Sequence, residues 1–500
     1  MVELQTPEQA AQWLRQHVTG ELHTDSRQVQ PGDGFIAWPG AATDGRQYMA
    51  RAFEQGASVC LMQYEGSAPW QGLQPSDRVA ALPQLRQRTG WLANAYYEQP
   101  TQHLDVLAVT GTNGKTSIAC WLAQALAHPA IGQRCGVVGT LGVGLWPDLR
   151  YTGMTTPDPV LLQRSFRQML AAGAALCAIE ASSIGIAEHR LDGTRIRTAV
   201  FTNFTQDHLD YHGSMQAYWA AKHQLFAWDG LQSAVVNIDD PQGVALAAEL
   251  AGTDLDLWTC SRQQEARLRA WPLPSREGLS FELREGDALC RIDTTLTGDY
   301  NIDNLLGVIG ALRAQGLPLA QIAQACAGLQ AVPGRMQRVL PAAGAVAMPL
   351  AVVDYAHTPD ALTQALLALK PLARERGGRL WCVFGCGGNR DPHKRPLMTA
   401  AAQAQADHLV LTSDNPRFEV AADILAQMQS GLQRAPAAAV IEDRAVAIAT
   451  AVREAAANDV VLVAGKGHET TQEIAGVFHP FSDVAQLQRA LAARGAKVQA

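Results

Sequence analysis

The chain has 500 residues, 47% hydrophobic and 17% charged, the balance of a globular protein long enough for two or three hydrophobic cores. A formal charge of −7 and a pI near 6.0 lack the basic excess of a general nucleic-acid binder. The nine cysteines are scattered, the N-terminus shows no signal pattern, and no apolar run approaches the roughly 20 residues that span a bilayer. A cytoplasmic protein with free thiols and neither nucleic-acid nor membrane partners is expected.

In residues 1–99, short apolar runs alternate with turn signals such as Pro31-Gly32-Asp33-Gly34 and Pro39-Gly40. A helical stretch over 48–55 and a strand-like run over 57–62 predict a small α/β unit. Residues 100–333 open on 104–110 (LDVLAVT), which reads as a buried parallel strand, followed by a glycine-rich turn and a helical pattern over 116–127. Two further buried-strand candidates, 175–179 and 198–202, run into Glu180 and Asn203. This alternation implies a doubly wound, mostly parallel sheet, in which ligands gather at the carboxyl ends of the strands. Residues 334–500 follow Val332-Pro333-Gly334 and place strands at 350–353, 380–384, 408–411 and 460–464, with alanine-rich helices between. That region is again α/β, and its tail, 491–500, is expected to fray.

The turn Gly111-Thr112-Asn113-Gly114-Lys115-Thr116, between strand and helix, has the makings of a phosphate cradle. Glycines let backbone N–H groups approach phosphate oxygens, and the helix N-terminus adds its dipole. Lys115 would reach the β- and γ-phosphates and Thr116 would meet Mg²⁺, although Val109 stands where a Walker A loop has its first glycine. Glu180 and the segment 203–212 (NFTQDHLDYH), with two histidines and two aspartates, offer ligands for a hard cation. Asp207 could equally cap the helix that follows, and Lys222 on residue chemistry alone reads as a solvated surface lysine.

In the third region, Asp354 follows a strand and offers a carboxylate to a ribose or base. The run 385–395 (GCGGNRDPHKR) brings glycines and cations. Asp414-Asn415-Pro416-Arg417 sets an acid, an amide and a guanidinium on a proline-stiffened loop, suited to the two ends of an amino acid zwitterion. Gly465 to Glu469 adds a further glycine turn and carboxylate.

These motifs resemble the Mur ligases of peptidoglycan precursor synthesis, from Asp25-Ser26-Arg27 to Gly465-Lys466-Gly467-His468-Glu469, nearly the whole chain. GTNGKT marks the wider superfamily, which includes folylpolyglutamate synthases, and FTNFTQDHLDYHGSMQAYWAAKHQLF narrows it to the muramoyl branch. The loop 414–417 looks like the signature of members that add meso-diaminopimelate. The resemblance implies three domains: a uridine-nucleotide-binding unit (1–99), a central P-loop ATPase domain (100–333) and a Rossmann-like amino-acid-binding domain (334–500). It implies that Gly111, Thr112, Asn113, Gly114, Lys115, Thr116, Ser117, Asn301, Arg335 and Asp354 bind ATP, with Asn304 in the same adenine-side motif as Asn301. Thr24, Ser26, Ala41, Ala42, Thr43, Thr155, Thr156, Ser182, Glu188 and Arg190 would hold the UDP-muramoyl dipeptide. Thr116, Glu180, His208 and a carbamylated Lys222 would hold Mg²⁺, which reverses the surface reading of that lysine. Arg390, Asp414, Asn415, Pro416, Arg417, Gly465 and Glu469 would form the diaminopimelate pocket. The implied reaction is ATP-dependent amide formation through an acyl phosphate, by a protein expected to be a monomer, with Lys115, Glu180, His208 and Lys222 central to catalysis.

Several positions depart from the family pattern: Met154, Ile184, Glu188 and the segment 418–422. Glu188 replaces a glutamine, and a carboxylate beside an anionic substrate repels it unless a cation intervenes. The alternatives are a ligase for lysine or another amino acid, a folate polyglutamylating enzyme, or a nucleotide-binding relative without catalysis. Arg417 and Asp25-Ser26-Arg27 argue against the other ligases, and Lys115, Glu180, His208 and Lys222 against loss of chemistry.

Overall fold

The computed structural model describes residues 1–498 apart from 41–42, 71, 73–75, 276–277, 342–347 and 434–437. Three helix-flanked α/β sheets follow one another along the chain. The first is all parallel, in the order Val2–Glu3, Val79–Leu82, Val59–Gln63, Gly34–Ala37, Leu22–His23. Helices Pro7–His17 and Leu85–Tyr96 cover one face and Met49–Glu54 the other, so the inner strands are apolar on both sides. The helix expected over 48–55 is a short 3₁₀ turn, Gly45–Tyr48, running into Met49–Glu54.

The central sheet has a parallel middle and antiparallel hairpins at both edges. Its strand Asp105–Thr110 lies between Leu176–Glu180 and Ile196–Phe201. The three strand ends that looked polar in the sequence therefore stand side by side. Helix Lys115–Ala127 and helix Tyr300–Ala314 cover one face of this sheet, while Pro159–Ala171 and the turn Gln224–Ala227 cover the other. Burial on both faces accounts for the near-continuous apolar reading of these strands.

The third sheet runs Gln337–Val339, Leu350–Asp354, Val460–Ala464, Leu380–Phe384, His408–Leu411, Ala439–Val440, antiparallel only at its first pair. A separate hairpin, Thr471–Ile474 with Val477–Pro480, stands beside it. The tail does not fray at 491: it belongs to helix Asp483–Val498, which buries Leu487 and Leu491 against Ile448 and Val452. The apolar residues Val484, Leu487 and Leu491 fall on one helical face, which packs on the sheet's helical layer as far as Leu491.

Candidate active site

At the end of strand Asp105–Thr110 the chain turns through Gly111 and Gly114, both at positive φ, into helix Lys115–Ala127. A Cβ on Gly111 would collide with the Thr202 hydroxyl and one on Gly114 with the Asn304 amide, so only glycine lets the loop close this tightly. The loop is braced from the neighbouring strand end: Asn113 N–H donates to Asn203 Oδ1 (2.9 Å), and Thr202 Oγ1 donates to the Asn113 carbonyl (2.6 Å). Lys115 folds back over the turn, donating to the carbonyls of Gly111 (2.9 Å) and Thr112 (2.8 Å). Burial lowers its pKa, against the pull of Glu180 and Asp207.

Residues Thr112 to Ser117 line a cavity of about 540 Å³ together with Glu180, His208, Asn301, Asn304, Arg335 and Asp354. Asn304 Nδ2 donates to Asn301 Oδ1 (2.9 Å), and Asp354 accepts the amides of Met336 (2.7 Å) and Ala356 (2.8 Å). Arg335 reaches Thr116 Oγ1 (3.0 Å) and stacks on Tyr355, and its Nε is buried without a partner among the described residues. An unspent guanidinium donor in a polar cavity suits a phosphate oxygen.

Glu180 is the last residue of its strand and is buried. It accepts from Thr116 Oγ1 (2.9 Å) and from the Thr140 amide (2.7 Å). Among the described residues no three His, Cys, Asp or Glu side chains gather closely enough to hold a metal by themselves. The oxygen donors of Thr116 and Glu180 fit Mg²⁺, which takes few protein ligands and completes its shell with phosphate oxygens.

Asp207 does not cap the next helix. Helix Leu209–His212 has His208 at the cap position with φ +53°, while Asp207 accepts the His208 amide (2.9 Å) and lies 3.5 Å from its Nε2. Burial would raise the Asp207 pKa, yet the surrounding basic groups hold it down at about 2. Burial lowers that of His208.

Lys222, placed on the surface by residue chemistry alone, is 1% exposed. It sits on the inner face of helix Met215–His223, where Nζ donates to the Gly111 carbonyl (2.7 Å) and lies over the Tyr218 ring. Burial and the nearby Lys115 drive its pKa well below the usual lysine value. A lysine held as the neutral amine is a nucleophile.

A second cavity, of about 500 Å³, is lined by Arg390, Asp414, Asn415, Arg417, Gly465 and Glu469. Asn415 Nδ2 donates to Glu469 Oε2 (2.8 Å), and the buried Lys466 bridges Asn415 Oδ1 (2.8 Å) and Glu469 Oε2 (2.7 Å). Arg417, at φ +52°, donates to the Gly388 carbonyl (2.7 Å) and lies 3.2 Å from Glu473. Asp207, His208, His357, Asp360, Tyr355, Thr140 and Thr155 line both cavities, so the two meet.

The residues expected to hold a UDP substrate are less concentrated. Thr155 lines both cavities and Ser182 the first, whereas the Thr156 hydroxyl is buried and donates to the Glu180 carbonyl (2.7 Å). Arg190 donates to the Thr156 carbonyl (2.9 Å). Thr24 bonds to Asp158, Ser26 is buried at a 3₁₀ turn, and Thr43 pairs with Tyr48 (3.3 Å); all three belong to the first α/β unit, apart from both cavities. Ala41 and Ala42 lie outside the described residues. The Glu188 carboxylate does meet a cation: Arg86, on helix Leu85–Tyr96, pairs with one oxygen and the Tyr211 hydroxyl donates to the other.

Sequence reasoning missed Arg86, the Lys466 bridge, His357 and the buried Arg444. Lys466 stood inside a quoted motif, where a lysine between two glycines was a usable signal. The partners of Arg86 and Arg444 are far away along the chain and left none.

Three family models match in chain order: the Mur ligase family catalytic domain over residues 20–97, the Mur ligase middle domain over 109–312 and the Mur ligase glutamate ligase domain over 334–467. The chain belongs to the Mur ligase family. It is 58% identical to a protein from an Acidovorax species named UDP-N-acetylmuramoyl-L-alanyl-D-glutamate–2,6-diaminopimelate ligase, across 98% of both chains. A Janthinobacterium protein of the same name is 46% identical across 96% of each. A solved structure of a ligase with that name is 36% identical, covers 95% of each chain and superposes with a TM-score of 0.63.

Proposed function

We propose that the two cavities are halves of one ligation site, the first taking ATP and the second the incoming amino acid. The chain is an ATP-dependent carbon–nitrogen ligase that joins meso-2,6-diaminopimelate to the D-glutamate γ-carboxylate of UDP-N-acetylmuramoyl-L-alanyl-D-glutamate in peptidoglycan precursor synthesis. The observation that carries the site assignment is the shared wall of Asp207, His208 and His357 between a phosphate loop and a pocket of paired acid and guanidinium.

A carboxylate is a poor acyl donor, so its oxygen first attacks the γ-phosphorus and ADP departs. The amine then attacks the acyl phosphate carbon and phosphate leaves as the amide forms. The backbone amides of Gly114, Lys115 and Thr116 and the Arg335 Nε hold the phosphates, and Lys115 swings from its loop carbonyls to the transferring group. Mg²⁺ held by Thr116 and Glu180, with His208 and carbamylated Lys222 toward a second ion, would offset the charge on the phosphates. In the second cavity Arg417 and Arg390 take carboxylates, while Asp414 and Glu469 take ammonium groups. Closure of the domains around the junction would keep water from hydrolysing the acyl phosphate.

Residues 1–99 form the uridine-binding unit around Thr24, Ser26 and Thr43, residues 100–333 the ATPase unit, and residues 334–500 the amino-acid unit. The protein acts as a monomer in the cytoplasm. Purified protein with the UDP-dipeptide, ATP and Mg²⁺ should release phosphate only when meso-diaminopimelate is added. Equal turnover with L-lysine would overturn the specificity, and no turnover with any amino acid would overturn the ligase reading.

A further inference from the structure

The third sheet holds a charged pair that touches neither cavity. Arg444, the first residue of helix Arg444–Glu454, and Asp483, the first of helix Asp483–Val498, have side chains with 0% exposure. The guanidinium grips the carboxylate with two bonds, Nε to Oδ1 and Nη2 to Oδ2, both 2.7 Å. Two of its three remaining N–H donors reach backbone carbonyls: Nη1 to Ser413 (3.2 Å) and Nη2 to Ala464 (2.8 Å). Ser413 precedes Asp414 and Ala464 precedes Gly465, so each carbonyl lies one residue before a lining residue of the amino-acid cavity.

No strand pairing joins these two loops directly. They leave strands His408–Leu411 and Val460–Ala464, which are not neighbours, because Leu380–Phe384 pairs between them. Arg444 ties the two loops together where they leave their strands, one residue before the cavity, while the Asn415–Glu469 and Lys466–Asn415 bonds join them further out. The fit above is close: a Cβ on Gly465 would come within 2.6 Å of Asp414 Oδ2, so a small slip of one loop displaces a pocket carboxylate. A buried ion pair is a poor source of stability, since well-packed apolar side chains of similar volume do as well or better. Its presence here asks for a geometric reason, and the planar fork of arginine, which spans two acceptors at fixed angles, supplies one.

We propose that Arg444, oriented by Asp483, is a positioning residue that sets the register of the 413–417 and 464–469 loops and so the recognition of diaminopimelate. This rests on the second cavity being the amino-acid site. The charge of Arg444 also bears on Asp414 and Glu469, the two carboxylates expected to meet ammonium groups.

The test is the double variant Arg444→Met/Asp483→Leu, which removes the pair without leaving a lone buried charge, assayed beside the parent. If the parent fails to ligate diaminopimelate, the functional reading falls before the positioning one is reached. With an active parent, the variant should unfold at the same or a higher temperature. Its KM for diaminopimelate should rise about tenfold, the effect of losing one or two hydrogen bonds to a charged group. KM for ATP and for the UDP-dipeptide should stay within about twofold, a split that general loosening of the fold would not give. An unchanged diaminopimelate KM in this folded variant overturns the proposal. Arg444→Lys, which keeps the charge but not the fork, should give a smaller rise in the same constant. If the double variant does not fold, parental KM in Arg444→Lys overturns the proposal in its place.

Discussion

Arg86→Ala should weaken the UDP-dipeptide far more than ATP, because it strips Glu188 of the cation that neutralises it. The two side chains keep 33% and 20% of their exposure, between a surface pair and a buried one. Exposed pairs contribute about 0–1 kcal/mol, while breaking a buried pair costs about 3–5 kcal/mol. Burial raises the Glu188 pKa, but the Tyr211 hydroxyl, Arg86 and the charge of Arg190 more than reverse it; without Arg86 the carboxylate keeps the Tyr211 hydroxyl as its hydrogen-bond partner and Arg190 as a nearby charge. Discounted for solvent screening, the loss is about 1–2 kcal/mol, or roughly five- to thirtyfold in KM for the UDP-dipeptide. Steady-state phosphate release with each substrate varied in turn measures it. Glu188→Gln alone should stay within about threefold of the parent, and Arg86→Ala/Glu188→Gln should recover most of the loss, since an amide needs no counter-ion. A double variant as poor as Arg86→Ala would refute the neutralising role and leave Arg86 as packing between the first and central units.

Lys222→Ala should lower phosphate release by about a hundredfold or more, the scale of losing one group that stabilises developing charge, while the fold survives. Bicarbonate should stimulate parent enzyme that has been dialysed free of CO₂, and no stimulation would count against the carbamate. Stability should depend on pH through His357 and His468, which burial holds at about 4, well below the ordinary imidazole value. The folded chain then binds fewer protons than the unfolded one, so stability is full above about pH 6.5 and falls as pH drops toward 4. The slope is up to about 1.4 kcal/mol per pH unit for each histidine. Urea titrations across that range should show a flatter profile in His357→Asn/His468→Asn, and an identical slope would remove these groups as the cause.

Strands buried on both faces were the most legible part of the fold. Leu380–Phe384, His408–Leu411 and Val460–Ala464 have the bounds their apolar runs predict, because both sheet faces are covered and each position demands an apolar side chain. The edge hairpins were not anticipated: a strand such as Ala288–Thr294 has one wet face, and its exposed Leu289 breaks the alternation that would reveal it. Glycine turns at strand ends were legible as tight turns because glycine there answers a collision, as at Gly111 and Gly114. Lys222 was legible only through family resemblance, because a lysine buried by packing looks like any helical lysine until the Gly111 carbonyl above it is known. Arg86 and Arg444 were invisible for a related reason. Their partners lie 102 and 39 residues away, so no local spacing encodes the pair.

Charge sorts what can lie on each side of the shared wall. Lys115 and Arg335 face the first cavity, and that side attracts phosphate. Asp207, ionised down to about pH 2, stands at the seam, where it repels a phosphate dianion and attracts an ammonium. His357 adds no positive charge there at neutral pH, since it protonates only near 4. The amine should thus approach the acyl carbon along the Asp207 wall from the second cavity, while the phosphate departs toward Lys115. A single cavity with cations all round would hold both charged products and reagents without distinguishing them. Two cavities joined at an acidic seam would give the amine and the phosphate separate sides, which is the part that the segment 203–212, between the phosphate loop and the second cavity, would play in the proposed ligation.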